Sequence, residues 1–497
     1  MDFVQNFPFF SIMISMFSGI VSPVLPARAA KWMNRAVVTI IGGLSLILLF
    51  YLLVKGESYI YMMGHFPAPW GNEIRAGVLE AGMAFFFCII MLLSMLGGSH
   101  KLLVEVAPEK QNLYYILANL LLSSLLALVY TNDIFTAYVF VEINTISACG
   151  LIMIRETGRT IEAAVRYMIM SLLGSGMLLL GICILYDLTG HLLMSNMQEQ
   201  VAILAQSGQY HFPLLVTIGL VSVGLAIKSA LFPFHAWLPD AYGYSTVSSA
   251  AILSSLVSKG YIFLLIKLIY RVFGFSVFHD SKIVNVLFVF GLMGMIFGSL
   301  SAIQENDIRR MIAFSSVAQI GYIFMGIGMG TQVAMAASVF HMMSHAATKS
   351  LLFVSATGLT DVSGGSKKFI DLTGAGYRDR RSGVAFTIGA LSMVGMPLFS
   401  GFISKLLFAQ AAVQNTGKML PALIVLGIST ILNAIYFMKT VIRIYTPVEN
   451  ATKEEAGWAG RKLYVATLIG FIILNLLLGV SSQPIVDMIE QGLDMFA

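Results

Sequence analysis

The chain has 497 residues, 58% of them hydrophobic and 11% charged, with a formal net charge of +5. Soluble domains carry about 25% charged residues, so this composition, with its mean hydropathy of +0.84, excludes an ordinary water-soluble enzyme. The small charge excess and the lack of a basic stretch interleaved with aromatics exclude a nucleic-acid binder, and Cys88, Cys149 and Cys183, far apart in apolar stretches, argue against a disulfide framework or an iron–sulfur cluster. What remains is an all-α polytopic membrane protein.

A membrane-crossing helix needs roughly 20 apolar residues. By that measure the sequence predicts about fourteen spans. Their cores lie near 7–25, 36–54, 77–98, 112–130, 133–154, 162–186, 212–235, 246–270, 283–302, 310–328, 332–356, 383–410, 420–442 and 463–481. The apolar stretch before Ala27-Arg28-Ala29 resembles a signal peptide. Its start carries Asp2 and no basic residue, so it reads as a retained first helix. The connection 191–209 is too polar to span and is expected along the membrane surface.

Two spans are too long for one straight helix. The seventh runs through Pro233 and Pro239, the twelfth through Gly395, Pro397 and Gly401. Proline removes a backbone donor and clashes with the preceding turn, and carbonyls freed in hydrocarbon need water or polar partners. Each helix is therefore predicted to break beside a polar cavity; the alternative is that the prolines only bend it around its neighbours. Each also carries a lysine, Lys228 before Pro233 and Lys405 after Pro397. Interrupted segments at corresponding positions of two halves point to a transport site. Spans four to eight (112–275) and nine to thirteen (276–445) then read as two inverted five-helix repeats, flanked by 1–111 and 446–497.

Lys and Arg collect in cytoplasmic loops. Eighteen of them fall on one set of alternate connections, from Arg28 to Lys462 and including Lys453 and Arg461. The other set holds five: Lys55, Arg75, Arg271, Lys282 and Lys418. This places both termini outside the plasma (inner) membrane. Of the remainder, Arg166, Lys267 and Lys439 lie near helix ends and can snorkel. Lys228, Lys259, Lys349 and Lys405 sit deep in spans, and Glu142 is the clearest intramembrane carboxylate. A charge at that depth costs about 3 kcal/mol on insertion scales and usually faces a bundle interior or a water-filled path. Structural ion pairs are the competing account. A glutamate, four lysines and two histidines on successive helices suit a relay better than a clamp.

The eleventh span contributes His341, His345 and Lys349, spaced i, i+4, i+8 on one face. Histidine gives and takes a proton near pH 6.5. A zinc site is the rival reading, but no glutamate lies between the histidines and the adjoining lysine would repel a cation. Lys259 lies near Ser254, Ser255 and Ser258, hydroxyls able to support a water chain.

Three stretches carry a family resemblance: K-x4-P-F-H-x-W-L-P-D-A at Lys228 to Ala241, H-x3-H-A-x2-K-x-L-L-F at His341 to Phe353, and the run from Tyr167 to Gly190. Together they resemble the Mrp-type antiporter-like subunits: the proton-pumping subunits of respiratory complex I, the Mrp sodium/proton antiporter subunits and the matching subunits of energy-converting nickel–iron hydrogenases. The resemblance implies that Glu142 pairs with Lys228, that Lys259 is the central-axis lysine, that His341, His345 and Lys349 form the eleventh-helix link, and that Lys405 ends the path. Pro233, Pro397, Arg166 and Asp240 fall to structural or gating roles. Three positions depart from the family pattern: Val141 where tryptophan is frequent, Tyr242 where histidine often stands, and Arg166 where lysine is common. Arginine does not deprotonate in practice, so Arg166 can tune neighbours but not relay a proton.

No Rossmann fingerprint, P-loop or haem ligand pair is apparent, so no cofactor, metal or redox site of its own is expected. The energy then comes from partners. The first reading is a proton-translocating subunit of a redox-driven complex, complex I-like or a group 4 membrane hydrogenase, with further antiporter-like subunits and a peripheral redox arm. The alternative is a subunit of an Mrp-type sodium/proton antiporter without a redox partner. An integral-membrane enzyme would need clustered acid–base or metal groups, where this sequence has single charges helix by helix.

Overall fold

The computed structural model describes residues 3–66, 71–447 and 462–496; Lys453 and Arg461, counted above in the charge asymmetry, lie outside them. Helices dominate. In chain order they are α1 (Phe7–Val21), α2 (Ala27–Lys55), α3 (Val78–Glu105), α4 (Gln111–Tyr130), α5 (Ile134–Met153), α6 (Gly158–Thr189), α7 (Met194–Ser207), α8 (His211–Lys228), α9 (Leu238–Tyr244), α10 (Val247–Ile252) and α11 (Ser258–Leu268). There follow α12 (Phe275–Asp280), α13 (Ile283–Gln304), α14 (Ile308–Met329), α15 (Gln332–Asp361), α16 (Ala375–Arg378), α17 (Arg380–Val394), α18 (Ser400–Gln414), α19 (Met419–Ile444), α20 (Lys462–Val480) and α21 (Ser482–Asp494). A short hairpin, β1 (Tyr59–Met62) with β2 (Glu73–Ala76), pairs antiparallel with Tyr59 opposite Ala76.

Among the described residues, 12 helices are long and apolar enough to cross a membrane. Two further crossings fail that test for physical reasons. α15 has 30 residues but carries the His341, His345 and Lys349 stripe. α17 and α18 are two halves of one broken crossing, 15 residues each. With these, elements stand at all fourteen anticipated positions, and α7 is the polar connection at 191–209. It buries Met194, Met197 and Val201, a narrow stripe suited to a helix lying on a surface.

The starts are capped by local chemistry. Asp133 accepts from Thr136 N at 2.6 Å before α5, and Asp307 accepts from Arg309 N and Arg310 N at 2.8 and 3.1 Å before α14. Such caps satisfy backbone donors that a helix start leaves free. Both predicted breaks occur. After α8 the chain turns through Ala230, at φ 61°, before α9 resumes. After α17, Gly395 (φ 93°) and Leu398 (φ 78°) turn it into α18. A third irregularity lies between α10 and α11, where Leu253–Val257 forms a π turn. Every residue from Val247 to Phe273 is buried, so this helix is the centre of the bundle.

α13 and α14 pack along a glycine seam. A Cβ on Gly291 would meet Met325 N at 2.4 Å, and one on Gly298 would meet Ala318 N at 2.6 Å. Small residues allow such close approach in membranes. Gly291→Val or Gly298→Val is expected to cost about 1–3 kcal/mol or more, read as a lower melting temperature of the purified complex. Gly43→Val, with nothing within 4 Å of its Cβ, is the control and should melt like wild type.

The loop after α15 lies against the start of α14, with Ile308 N donating to Lys367 O at 2.9 Å and Phe369 N to Asn306 O at 3.0 Å. Burial pushes the Lys367 ammonium, outside the spans, down to about 7; Arg309 and Arg155 push the same way, and Asp307 and Glu105 oppose them. The unfolded lysine holds its proton up to the ordinary 10.5. Between these values the unfolded state binds the extra proton, so this group makes the fold more stable as pH rises. Lys367→Met is expected to flatten that rise, measured as the difference between melting temperatures at about pH 7 and pH 9.

Candidate functional site

The buried charges of the spans follow one another across α5, α8, α11, α15 and α18. At the first station Lys228, the last residue of α8, is fully buried and places Nζ 3.6 Å from Glu142 Oε1 on α5. The pair is loose because Lys228 donates more closely to Thr145 Oγ1, at 2.8 Å. Thr145 lies three residues beyond Glu142 and shares its helix face. Ser175 of α6 donates to Glu142 Oε1. Thr145 Oγ1 is 3.2 Å from the Tyr261 hydroxyl, which donates to Asn144 Oδ1 at 3.0 Å. Lys228 thus sits among hydroxyls, 5.4 Å above the Tyr261 ring.

Lys259 on α11 donates to Ser254 O, a carbonyl of the π turn. A π turn shifts the helical hydrogen-bond ladder locally, and the Lys259 ammonium folds back onto it. Among the described residues Lys259 has no carboxylate partner. α15 packs against both the π turn that holds Lys259 and α18, which carries Lys405.

On α15 the imidazoles of His341 and His345 lie 6.1 Å apart, nearly parallel. His341 Nδ1 is 3.0 Å from Ser404 Oγ of α18. Among the described residues, His341 Nε2 and both nitrogens of His345 are buried without a hydrogen-bonding partner. Buried polar atoms in that state take ordered water. Lys349 belongs to the same stripe but is held on α14, donating to Ile312 O at 2.9 Å and to Ser315 Oγ.

Lys405 on α18 reaches back over the second break and donates to Val394 O at 2.7 Å and Met393 O at 3.2 Å. These are carbonyls at the end of α17, freed because the chain turns at Gly395. A side chain at 395 would collide with Lys405 itself, whose Cδ lies 3.0 Å from the added Cβ. A hydroxyl ladder lines this junction. Ser344 Oγ donates to Ser400 Oγ at 2.8 Å, Ser400 Oγ to Asn475 Oδ1 at 3.2 Å, and Asn475 Nδ2 to Thr348 Oγ1 at 2.7 Å.

Arg166 and Asp240 stand apart from this line. Arg166 is half exposed and bonds Glu162 at 2.5 Å and Asp240 at 2.9 Å. Asp240, on α9, is also bonded by Arg310. Asp240 therefore joins an arginine of α6 to one of α14, and Arg166 touches neither Glu142 nor Lys228. Pro233 lies in the turn between α8 and α9, and Pro397 in the turn between α17 and α18.

Two expectations need correction. Lys267 does not snorkel: it is fully buried and donates to Val129 O at 2.8 Å and to Thr131 O, at the end of α4. Arg271, assigned to an outer connection, is also fully buried and pairs with Glu80 of α3 at 2.6 Å. Sequence reasoning missed Glu80, although it lies inside the predicted third span. Phe496 covers the pair, its ring 4.2 Å from the Arg271 guanidinium. Removing one partner of a buried pair leaves the other charge stranded, at roughly 3–5 kcal/mol. Glu80→Leu or Arg271→Met alone should sharply lower the yield of assembled complex, and the double variant should recover most of it; equal losses in all three would contradict a pairwise role.

The family described as NADH:quinone oxidoreductase/Mrp antiporter, TM, matches residues 131–432, and the chain belongs to it. The match contains every station from Glu142 to Lys405. The chain is 33% identical over 396 residues to NADH-quinone oxidoreductase subunit N of Desulforudis audaxviator, covering 79% of this chain and 76% of that protein. It is 26% identical over 434 residues to a Na(+)/H(+) antiporter subunit of Alkalihalophilus pseudofirmus, covering 85% and 83%. In three dimensions it resembles a chain of the membrane-bound sulfane sulfur reductase, an archaeal respiratory membrane complex, with a TM-score of 0.88 and 26% identity over 98% of this chain and 97% of that one. A chain of the Mrp complex from Dietzia sp. DQ12-45-1b shares the fold, at TM-score 0.87 and 22% identity, over 99% and 97%. The protein is a multi-pass, antiporter-like membrane subunit.

Proposed function

We propose that this subunit translocates protons within a redox-driven ion-pumping complex, along Glu142, Lys228, Lys259, His341, His345 and Lys405, with Lys349 tuning the α15 stripe. The observation that carries this reading is the succession of single buried amines and imidazoles, the amines joined to hydroxyls or carbonyls and His341 to the Ser404 hydroxyl. A structural clamp would pair every cation with a carboxylate, yet among the described residues only Lys228 of the four axis lysines has one.

The switch is the Glu142–Lys228 pair. Closed, each charge stabilises the other; open, Lys228 keeps Thr145 as acceptor and passes its proton inward. A bistable contact of this kind keeps the path from leaking. Glu142 retains 25% side-chain exposure on the outer face of the bundle. A carboxylate at mid-depth is costly against lipid, which supports a neighbouring subunit covering that face.

The reading includes two inverted repeats, 112–275 and 276–445, each with a broken fourth crossing. It also includes a plasma (inner) membrane location with both termini outside, from the distribution of Lys and Arg. The second reading, a subunit of an Mrp-type sodium/proton antiporter without redox partner, is supported by the likeness to the Alkalihalophilus pseudofirmus antiporter protein. Purifying the intact complex and identifying its subunits separates the two: a redox module favours the first, small antiporter subunits the second.

Lys228→Ala and Glu142→Gln are each expected to abolish coupled proton pumping in membrane vesicles while leaving assembly largely intact. Near-normal pumping in both variants would defeat the scheme.

A further inference from the structure

Five consecutive backbone carbonyls, 242 to 246, span the last residues of α9 and the turn into α10, and three basic side chains from three other segments take all of them. Arg309 of α14 donates through Nη2 to Ser245 O at 2.8 Å, with Tyr242 O and Thr246 O at 3.3 and 3.4 Å. Lys367, in the loop after α15, donates to Gly243 O at 2.9 Å. Arg155, just beyond α5, donates to Tyr244 O at 3.0 Å. A turn at a membrane surface ordinarily leaves its carbonyls to water. Here Arg309, only 3% exposed, is buried to hold them, and burying a guanidinium is expensive unless it does something that water does not.

The turn leads to the axis by one side chain. Tyr242 is buried, and its hydroxyl donates to Leu253 O and meets Ser258 Oγ, both at 3.2 Å. Leu253 opens the π turn, Ser254 O receives Lys259, and Ser258 precedes Lys259 directly. Clamp, tyrosine, π turn and axis lysine are thus joined by three successive contacts.

We propose that Arg309, Arg155 and Lys367 are positioning residues for Lys259, acting through Tyr242: a clamp of N–H donors by which α14 and its neighbouring loop set where the π turn holds the axis amine. The inference rests on the proton-transport reading of Lys259. It links the second half of the chain to the first by a route separate from the axis, and it gives Tyr242, one of the departures from the family pattern, a specific task.

The test is a double-variant cycle on the intact complex in proteoliposomes, with proton transport followed by a pH-sensitive dye across about pH 6 to 9. Arg309→Gln and Tyr242→Phe are each expected to lower transport roughly threefold or more, the scale of a contact coupling, and to move the midpoint of the pH profile. The Arg309→Gln/Tyr242→Phe double variant should be no worse than Tyr242→Phe alone, and Arg309→Lys should restore most of the rate. Multiplying effects in the double variant, or lowered rates with an unmoved midpoint, would overturn the proposal. Should Arg309→Gln fail to assemble, Lys367→Gln takes its place in the same cycle. Amide hydrogen exchange at 253–258 supplies a readout that needs no transport: it should quicken in the clamp variants, and unchanged exchange would overturn the proposal. If Lys259→Ala pumps normally, the transport reading fails while the exchange experiment still decides the clamp.

Discussion

An ammonium group buried among apolar helices must find an acceptor, and this requirement shapes the whole bundle. Lys259 takes Ser254 O from the π turn, Lys405 takes Val394 O from the end of α17, and Lys267 takes Val129 O from the end of α4. Inside a regular helix each carbonyl already accepts from the amide four residues on, and a lysine there shares an occupied acceptor, as Lys349 does with Ile312 O. Helix breaks and helix ends offer carbonyls without that prior claim. Lys259, Lys267 and Lys405 therefore meet the backbone where it is irregular. The choice of acceptor also matters to chemistry. A carbonyl steadies an ammonium without a counter-charge, so the lysine can give up its proton without leaving a buried carboxylate unpaired.

The same reasoning explains what the sequence revealed and what it withheld. The two interrupted crossings were legible because proline and glycine change the backbone wherever they occur. Glu142 and Lys228 were each legible as charges inside apolar runs, but their pairing came from the family resemblance, because hydropathy marks a buried charge without naming the partner it meets. The π turn was not legible: an extra residue shifts the helix faces, but every residue from Val247 to Phe273 is buried, so the sequence shows no apolar face whose shift could be read. Lys349 looked equivalent to His341 and His345, since spacing fixes a face but not the direction of a long side chain. Its attachment to Ile312 O depends on how α14 packs. Arg271 and Lys267 were misplaced because the end of a fully buried helix looks, in sequence, like the start of a loop.

α15 shows why hydropathy alone undercounts such proteins. Its middle is a run of histidines, lysine, serine and threonine, and nearly every residue is buried by other helices. A crossing that never meets lipid is free of lipid's demand for apolar side chains. α2 and α19, with isoleucines exposed along their outer faces, meet that demand on its behalf. Polar character in the centre and apolar character at the rim are two sides of one arrangement.

The first station shows how such an arrangement can both hold and release charge. Lys228 has two acceptors, Thr145 at 2.8 Å and Glu142 at 3.6 Å, and Glu142 has a second donor in Ser175. Each partner keeps a hydrogen bond when the ion pair opens, so opening costs the mutual charge attraction but strands neither group. A tight pair without these hydroxyls would be deeper and slower, a trap in place of a switch. In the proposed switch, the threonine three residues after the glutamate and the serine on the adjoining helix are therefore what would leave both groups hydrogen-bonded when the pair opens.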